Sequence, residues 1–200
     1  MKIKFLPILA LLLIGTVGFG QIGIRAGVNL ANFSAEDYDG SAKLGFNLGL
    51  FYQIEAGDML MIQPELNFMQ QGSKSSFDFG GTKVESSITT NYIQVPLLVK
   101  AVFGDRSATS FFVEAGPYLG YGLSGSNNYC EDEQCETESI DWESDGVKRM
   151  DYGIQAGAGV NINANLFINA RYILGLANIN EDSTETIKNT GINIALGYSF

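Results

Sequence analysis

Along most of the chain, apolar residues alternate with other residues at a period of two, the pattern of an extended strand with two unlike faces. Eight stretches carry it: 21–30, 43–54, 59–71, 91–103, 111–123, 152–161, 166–178 and 190–200. Each holds ten residues or more, whereas ordinary strands average about 5–6 and a tilted strand that crosses a bilayer needs about 9–11. One phase of the alternation is apolar throughout: Ile22, Ile24, Ala26, Val28 and Leu30 open it, and Leu44, Phe46, Leu48, Leu50, Tyr52 and Ile54 follow. No charged residue occupies this phase in any of the stretches. The other phase holds Arg25, Asn29, Asn47, Gln53, Gln63, Glu65, Gln94, Lys100, Glu114, Gln155, Asn169, Arg171 and Asn193, interspersed with glycines.

A soluble barrel would turn the apolar phase inward, and a membrane barrel would turn it to lipid and keep the polar phase in its lumen. Solvated strand faces favour Thr, Lys and Glu, and glycine is a poor strand former. A phase of Gly, Asn and Gln suits a narrow interior in which side chains share little volume. The pattern therefore predicts an all-β protein, an eight-stranded antiparallel up-and-down transmembrane barrel. The connections agree, because short ones (55–58, 104–110, 162–165) alternate strictly with long ones (31–42, 72–90, 124–151, 179–189). Such alternation is expected of periplasmic turns and extracellular loops. Aromatics on the apolar phase gather at both strand ends, with Tyr52, Phe103, Phe111, Tyr198 and Phe200 at the periplasmic rim and Phe46, Phe68, Tyr121 and Tyr152 at the outer one. Pro64, Pro96 and Pro117 fall inside strands, where β-bulges are the expected accommodation.

Composition adds a leader. Lys2 and Lys4, the apolar run 5–17 and Gly18-Phe19-Gly20 read as a cleavable signal peptide over 1–20, leaving 21–200 as the barrel. The mature chain should begin at Gln21, and the intact mass of membrane-extracted protein checks this: a start beyond Ile24 would remove the first lipid-facing residues and refute the reading. Without the two leader lysines the balance is 22 acidic against 10 basic residues, which argues against nucleic acid as a partner. Lipid surrounds such a chain, as a monomer in the cell outer membrane.

Particular residues carry further resemblance. The opening Gly23-Ile24-Arg25-Ala26-Gly27-Val28-Asn29, then Gln63-Pro64-Glu65-Leu66 and Tyr92-Ile93-Gln94-Val95-Pro96-Leu97-Leu98-Val99-Lys100, are the first matching elements. Glu114-Ala115-Gly116-Pro117-Tyr118 and the terminal Leu196-Gly197-Tyr198-Ser199-Phe200 complete them. In order and spacing the chain resembles the outer-membrane β-barrel (porin-like) family of small single-domain barrels. The resemblance implies insertion by the outer-membrane assembly machinery, and Ile192, Ile194, Leu196, Tyr198 and Phe200 look like the family's insertion signal. It implies no substrate, though in-strand prolines recur in the family at similar points.

The inventory for chemistry is short. There is no histidine, so a Ser-His-Asp arrangement is impossible. Glu65 and Glu114 are the one carboxylate pair on the inward phase, and Lys100 on the strand between them makes an ion-pair ladder the expected arrangement. Arg25 and Arg171 come inward at similar depth and can reach across a narrow barrel, so the five charges are expected to plug the lumen. No catalytic residue, metal site or cofactor is expected. Cys130 and Cys135, in a chain exported from the cytoplasm, read as one loop-closing disulfide. They lie in the 124–151 connection, which is rich in Asp and Glu and reads as a solvated acidic loop, with Trp142 as either a partner contact or a loop anchor. Three functional classes follow: a structural barrel, an adhesin or receptor binding an extracellular ligand through 124–151, and a narrow solute pore, the last disfavoured because eight strands leave an interior that side chains fill.

Overall fold

The computed structural model describes residues 20–35, 40–79, 82–105, 108–131, 134–142, 144–181 and 185–200. The leader expected over 1–20 lies outside them except for Gly20, and so do Asp132, Glu133 and Glu143 of the acidic connection. The strands are β1 (Gly20–Ser34), β2 (Ser41–Glu55), β3 (Leu60–Phe79), β4 (Thr82–Phe103), β5 (Ser110–Glu131), β6 (Gln134–Ser139), β7 (Met150–Asn161), β8 (Leu166–Gly175) and β9 (Lys188–Ser199). Each ladder is antiparallel, and pairing of β1 with both β2 and β9 closes β1-β2-β3-β4-β5-β7-β8-β9 into a ring of eight. Closure removes every free strand edge from the part of the chain that faces lipid. The ninth strand, β6, pairs with the far end of β5 outside the ring.

Exposure follows the two phases. Leu48, Leu50, Val99, Leu119 and Ile194 point outward and are exposed, while Arg25, Asn29, Gln63, Glu65, Gln94, Lys100, Gln155 and Arg171 are buried inside. An apolar exterior around a polar, buried interior is the reverse of a soluble barrel. Outward aromatics mark both rims, with Phe103, Phe111, Tyr198 and Phe200 at the short-turn end and Phe46, Tyr121 and Tyr152 at the other, and Phe46 stacks on Phe68 with ring centroids 5.5 Å apart.

Two expectations are corrected. The connections at 72–90 and 124–151 are not simply loops, because β3 runs on to Phe79, β4 starts at Thr82 and β5 continues to Glu131. Their ladders Gly72↔Thr89 to Phe79↔Thr82 and Val84↔Glu131 to Asn91↔Ser124, with Ser126↔Ser139 to Glu131↔Gln134 beyond, make a four-stranded sheet standing above the ring. Beyond the membrane neither sheet face meets lipid, so the two-residue period that marks the barrel has no cause to persist there. The acidic run is partly ordered as β6 because Cys130 and Cys135 are directly opposite in the ladder and joined by a disulfide that closes the hairpin.

The prolines need no bulge. Pro64 pairs with Leu97, Pro96 with Tyr118 and Pro117 with Ile154, and the register on either side of each is unchanged. The register shifts fall at Ala42/Asn47 and Asn91/Tyr92, towards the long-loop rim where the ring gives way to the standing sheet. An antiparallel strand can lose a single donor to one neighbour without losing its place, which is all that proline demands.

Inside, the strands stack their inward residues in layers. Nearest the short turns lie Phe51, Met61, Val102, Phe112 and Phe167. The rings of Phe51, Phe112 and Phe167 lie across Gly23, Gly159 and Gly197, the residues directly opposite them on neighbouring strands. A Cβ on those glycines would come within 2.2, 2.3 and 2.1 Å of a ring carbon. Farther along come the charged residues of β1, β3, β5 and β8, and beyond these Met69, Tyr118 and Ile173.

Candidate functional site

Two places on this scaffold gather side chains capable of function: the charged middle of the lumen and the outer face. In the lumen, β3 contributes Glu65, β5 Glu114, β8 Arg171 and β1 Arg25, each inward because its strand alternates around a closed ring. Arg171 donates from Nη1 and Nη2 to Glu65 Oε2 and Oε1 at 2.8 and 2.7 Å, and from Nε to Glu114 Oε1 at 2.6 Å. Arg25 Nη1 donates to Glu65 Oε2 at 2.8 Å, and its Nη2 to Asn193 Oδ1 at 2.8 Å. Gln63 and Asn67 donate to Glu65 at 2.6 and 2.8 Å, and Asn169 to Glu114 at 2.6 Å. Charge-assisted bonds of this length, two of them forming a fork, are strong and fix orientation.

Thus one guanidinium bridges both glutamates. β8 and β3 are four places apart in a ring of eight, so the Arg171–Glu65 pair crosses the lumen from one wall to the opposite one. Lys100 is opposite Glu114 in the β4–β5 ladder and holds its Nζ 3.7 Å from the Phe112 ring centroid and 4.4 Å from that of Phe167. Both glutamates are engaged by arginine.

The sequence pattern missed one charge. Asp151 is fully buried and accepts hydrogen bonds at Oδ2 from Tyr118 Oη (3.1 Å) and Asn189 Nδ2 (3.0 Å). Extending the inward phase of β7 from Gly153 back by two residues would have found it. Among the described residues, six charged side chains are buried, three of each sign, and such cancellation lets buried groups stay ionised.

Above Asp151 the connection from β6 to β7 turns Trp142 into the mouth. Its indole is buried, meets Tyr92 edge-on at 5.9 Å, lies against Gly122 and has Arg149 at 5.4 Å. Trp142 is a loop anchor, and of its two sequence readings the contact with an outside partner lacks the necessary exposure. Ile192, Ile194, Leu196 and Tyr198, expected from the sequence to form an insertion signal, all point outward from β9, and Phe200 follows with its N–H bonded to the Ile22 carbonyl at 2.8 Å.

The outer face carries two recesses of unlike chemistry. One, of about 390 Å³, is polar and lies among the outer ends of β2 to β5, with Lys43, Lys74, Glu85 and several serines in its wall. Lys43 Nζ donates to Ser87 Oγ at 2.6 Å and to Thr89 Oγ1. The other, of about 410 Å³, is mainly apolar and lies between the standing sheet and the connections before β7 and β9.

A closed antiparallel ring with an apolar exterior, a charge-balanced interior and outward aromatics at both rims defines a transmembrane β-barrel of the outer-membrane class. The family model described as an outer membrane protein beta-barrel domain matches residues 19–181, and the chain belongs to that family. It is accordingly a bacterial outer-membrane protein. The chain is also similar to solved structures. Ail of Yersinia pestis, in complex with the heparin analogue sucrose octasulfate, is 16% identical over 91% of this chain and 99% of that one, with a TM-score of 0.51. Neisserial surface protein A is 10% identical over 90% and 97% at a TM-score of 0.45. OprG of Pseudomonas aeruginosa is 14% identical over 91% and 96% at the same score. Among curated proteins none matches the chain.

Proposed function

We propose that the chain is a non-conducting, non-enzymatic barrel that anchors an interaction surface outside the cell. The observation that carries this reading is the Arg171–Glu65 pair, which spans the lumen between opposite walls and is itself tied to Glu114 and Arg25. With aromatic and aliphatic residues layered on both sides of that network, the interior is a packed, closed core. Material not needed for crossing the membrane is instead invested in the sheet of β3 to β6 and its neighbouring connections. The long-loop end of such barrels is extracellular, so this sheet, its acidic β5–β6 hairpin and the two recesses face the surroundings. An adhesin or receptor role through 124–151 is the form of this reading favoured by the disulfide-closed hairpin.

The same proposal covers biogenesis and state. The leader over 1–20 directs export, the assembly machinery reads the outward residues of β9, and lipid surrounds a monomer whose apolar exterior is continuous around all eight ring strands. Planar-bilayer recording is expected to show no sustained single-channel current in molar potassium chloride; a steady ion-conducting state would refute the closed lumen. Replacing 126–148 by a short turn is expected to leave a heat-modifiable barrel and to abolish adhesion of expressing cells to surfaces. Undiminished adhesion would refute the role of that region.

A further inference from the structure

We infer that the apolar recess on the outer face is a binding site for a small apolar ligand ending in a single cationic group, an arylalkyl amine in chemical class. This inference rests on the outer-face reading above. Phe33, Ile88, Ile140, Val147, Ile179 and Ile187 converge there from β1, β4 and the two connections before β7 and β9, around a volume of about 410 Å³. The size lies within the range of about 300–1,000 Å³ usual for small-molecule sites, and a mainly apolar wall with a few polar groups is their usual make-up. Packing alone would bring these side chains together and close the space between them. The walls instead hold it open through bonds of their own.

Those bonds run through the backbone. Val147 and Asn180 form an isolated bridge, Lys148 N–H donates to the Ile179 carbonyl at 2.7 Å, and Glu181 N–H to that of Gly146 at 2.7 Å. Ile179 N–H donates to the Ile187 carbonyl at 2.9 Å, while Ile140 N–H is tied to the Gly125 carbonyl at 2.9 Å. Asn178 Oδ1 accepts from both Asn180 and Ile187 N–H. A site whose walls are fixed before binding loses little freedom on binding.

Two observations set the ligand's polar end. Thr90 lines the recess, is 1% exposed, and its hydroxyl has no hydrogen-bond partner among the described residues. A buried hydroxyl without a partner is uncommon in a settled interior, and a small turn about its side-chain bond would offer an oxygen lone pair to a ligand N–H. The ionisable residues in the wall are Glu138 and Asp145, both acidic. Asp145 spends one oxygen on the Asp141 N–H at 2.9 Å, and the nearby Lys148 Nζ is turned onto the Asn180 carbonyl at 3.0 Å. An apolar chamber with carboxylates at its wall accepts an ammonium group on an apolar body and repels an anion of the same shape.

The test titrates the full barrel in phosphatidylcholine nanodiscs with phenylbutylamine, phenylbutanol and phenylbutyrate by calorimetry. The amine is expected to bind saturably at a single site and about tenfold tighter than the alcohol, with the acid weakest. Ile179→Trp, or Val147→Trp if the first variant fails to fold, fills the recess and is expected to abolish binding of both amine and alcohol. Glu138→Gln with Asp145→Asn is expected to bring the amine down to the alcohol while the alcohol is unchanged. No saturable binding by wild type, binding that survives the filling variants, or an amine preference that survives neutralisation each overturns the inference. Adhesion of wild-type cells, measured in parallel, separates failure of this site from failure of the outer-face reading: a silent titration with adhesion intact removes the ligand site alone.

Discussion

Glu65→Gln is expected to lose about 3–5 kcal/mol of barrel stability, the cost of breaking a buried charge pair from one side. Glu65 accepts five hydrogen bonds, from Arg25, twice from Arg171, and from Gln63 and Asn67. The amide that replaces it turns an N–H donor toward guanidinium groups that are donors only, and it leaves Arg25 and Arg171 with Glu114 as the nearest carboxylate. Urea unfolding in detergent, followed by tryptophan fluorescence, measures the loss, since Trp142 is the chain's single tryptophan and is seated in the mouth. Lys74→Met in the outer recess is the control and should change stability by no more than about 0.5 kcal/mol. Adding Arg25→Met to Glu65→Gln should recover part of the loss, because removing both partners leaves less unpaired charge than removing one. A change at Glu65 no larger than the control would mean that water reaches the network and that the lumen is not closed.

Leu48→Arg is expected to cost about 2–4 kcal/mol, the penalty for a cation on the lipid face near mid-bilayer. Leu48 is midway along β2, is 58% exposed on the barrel exterior and pairs with Ala26 on one side and Phe68 on the other. Asn47→Arg, one residue away, points into the lumen, so its effect is set by space and by the charge balance rather than by depth in the bilayer. Reversible unfolding from lipid vesicles compares the two, and the same arginine moved to Leu44 at the rim should cost less. A Leu48→Arg protein that stayed folded and soluble without detergent would show that water, not lipid, bathes this face.

The lipid-facing part of the fold was written plainly in the chain because two unlike solvents act on alternate residues. That is why the strands around Leu48, Val99 and Ile194 could be placed from pattern alone. The same logic hid the standing sheet: at Ser73–Ser76 and Ser86–Thr90 both faces see water or protein, so alternation had nothing to record. Charges on the inward phase could be named, and so could the reach of two arginines across a narrow ring. Sequence neighbourhood placed Lys100 between Glu65 and Glu114, and the pattern could not add that the Arg171 guanidinium binds both glutamates itself. Asp151 was missed at a strand boundary, and the recess walled by Ile140, Val147 and Ile179 was missed because it depends on how two connections fold together.

The three phenylalanines laid on bare backbone at the short-turn end have a consequence for how such a chain can change over generations. Gly23 with Phe51, Gly159 with Phe112 and Gly197 with Phe167 are couples in which each member occupies the other's room. A side chain gained at the glycine overfills the layer, and a ring lost leaves it hollow, so either single step is penalised. Only a paired exchange, a smaller residue for the ring together with a larger one for the glycine, conserves the volume. Viable descendants of this barrel should therefore drift at these six positions two at a time, while the outward leucines and isoleucines on the same strands are replaced one by one.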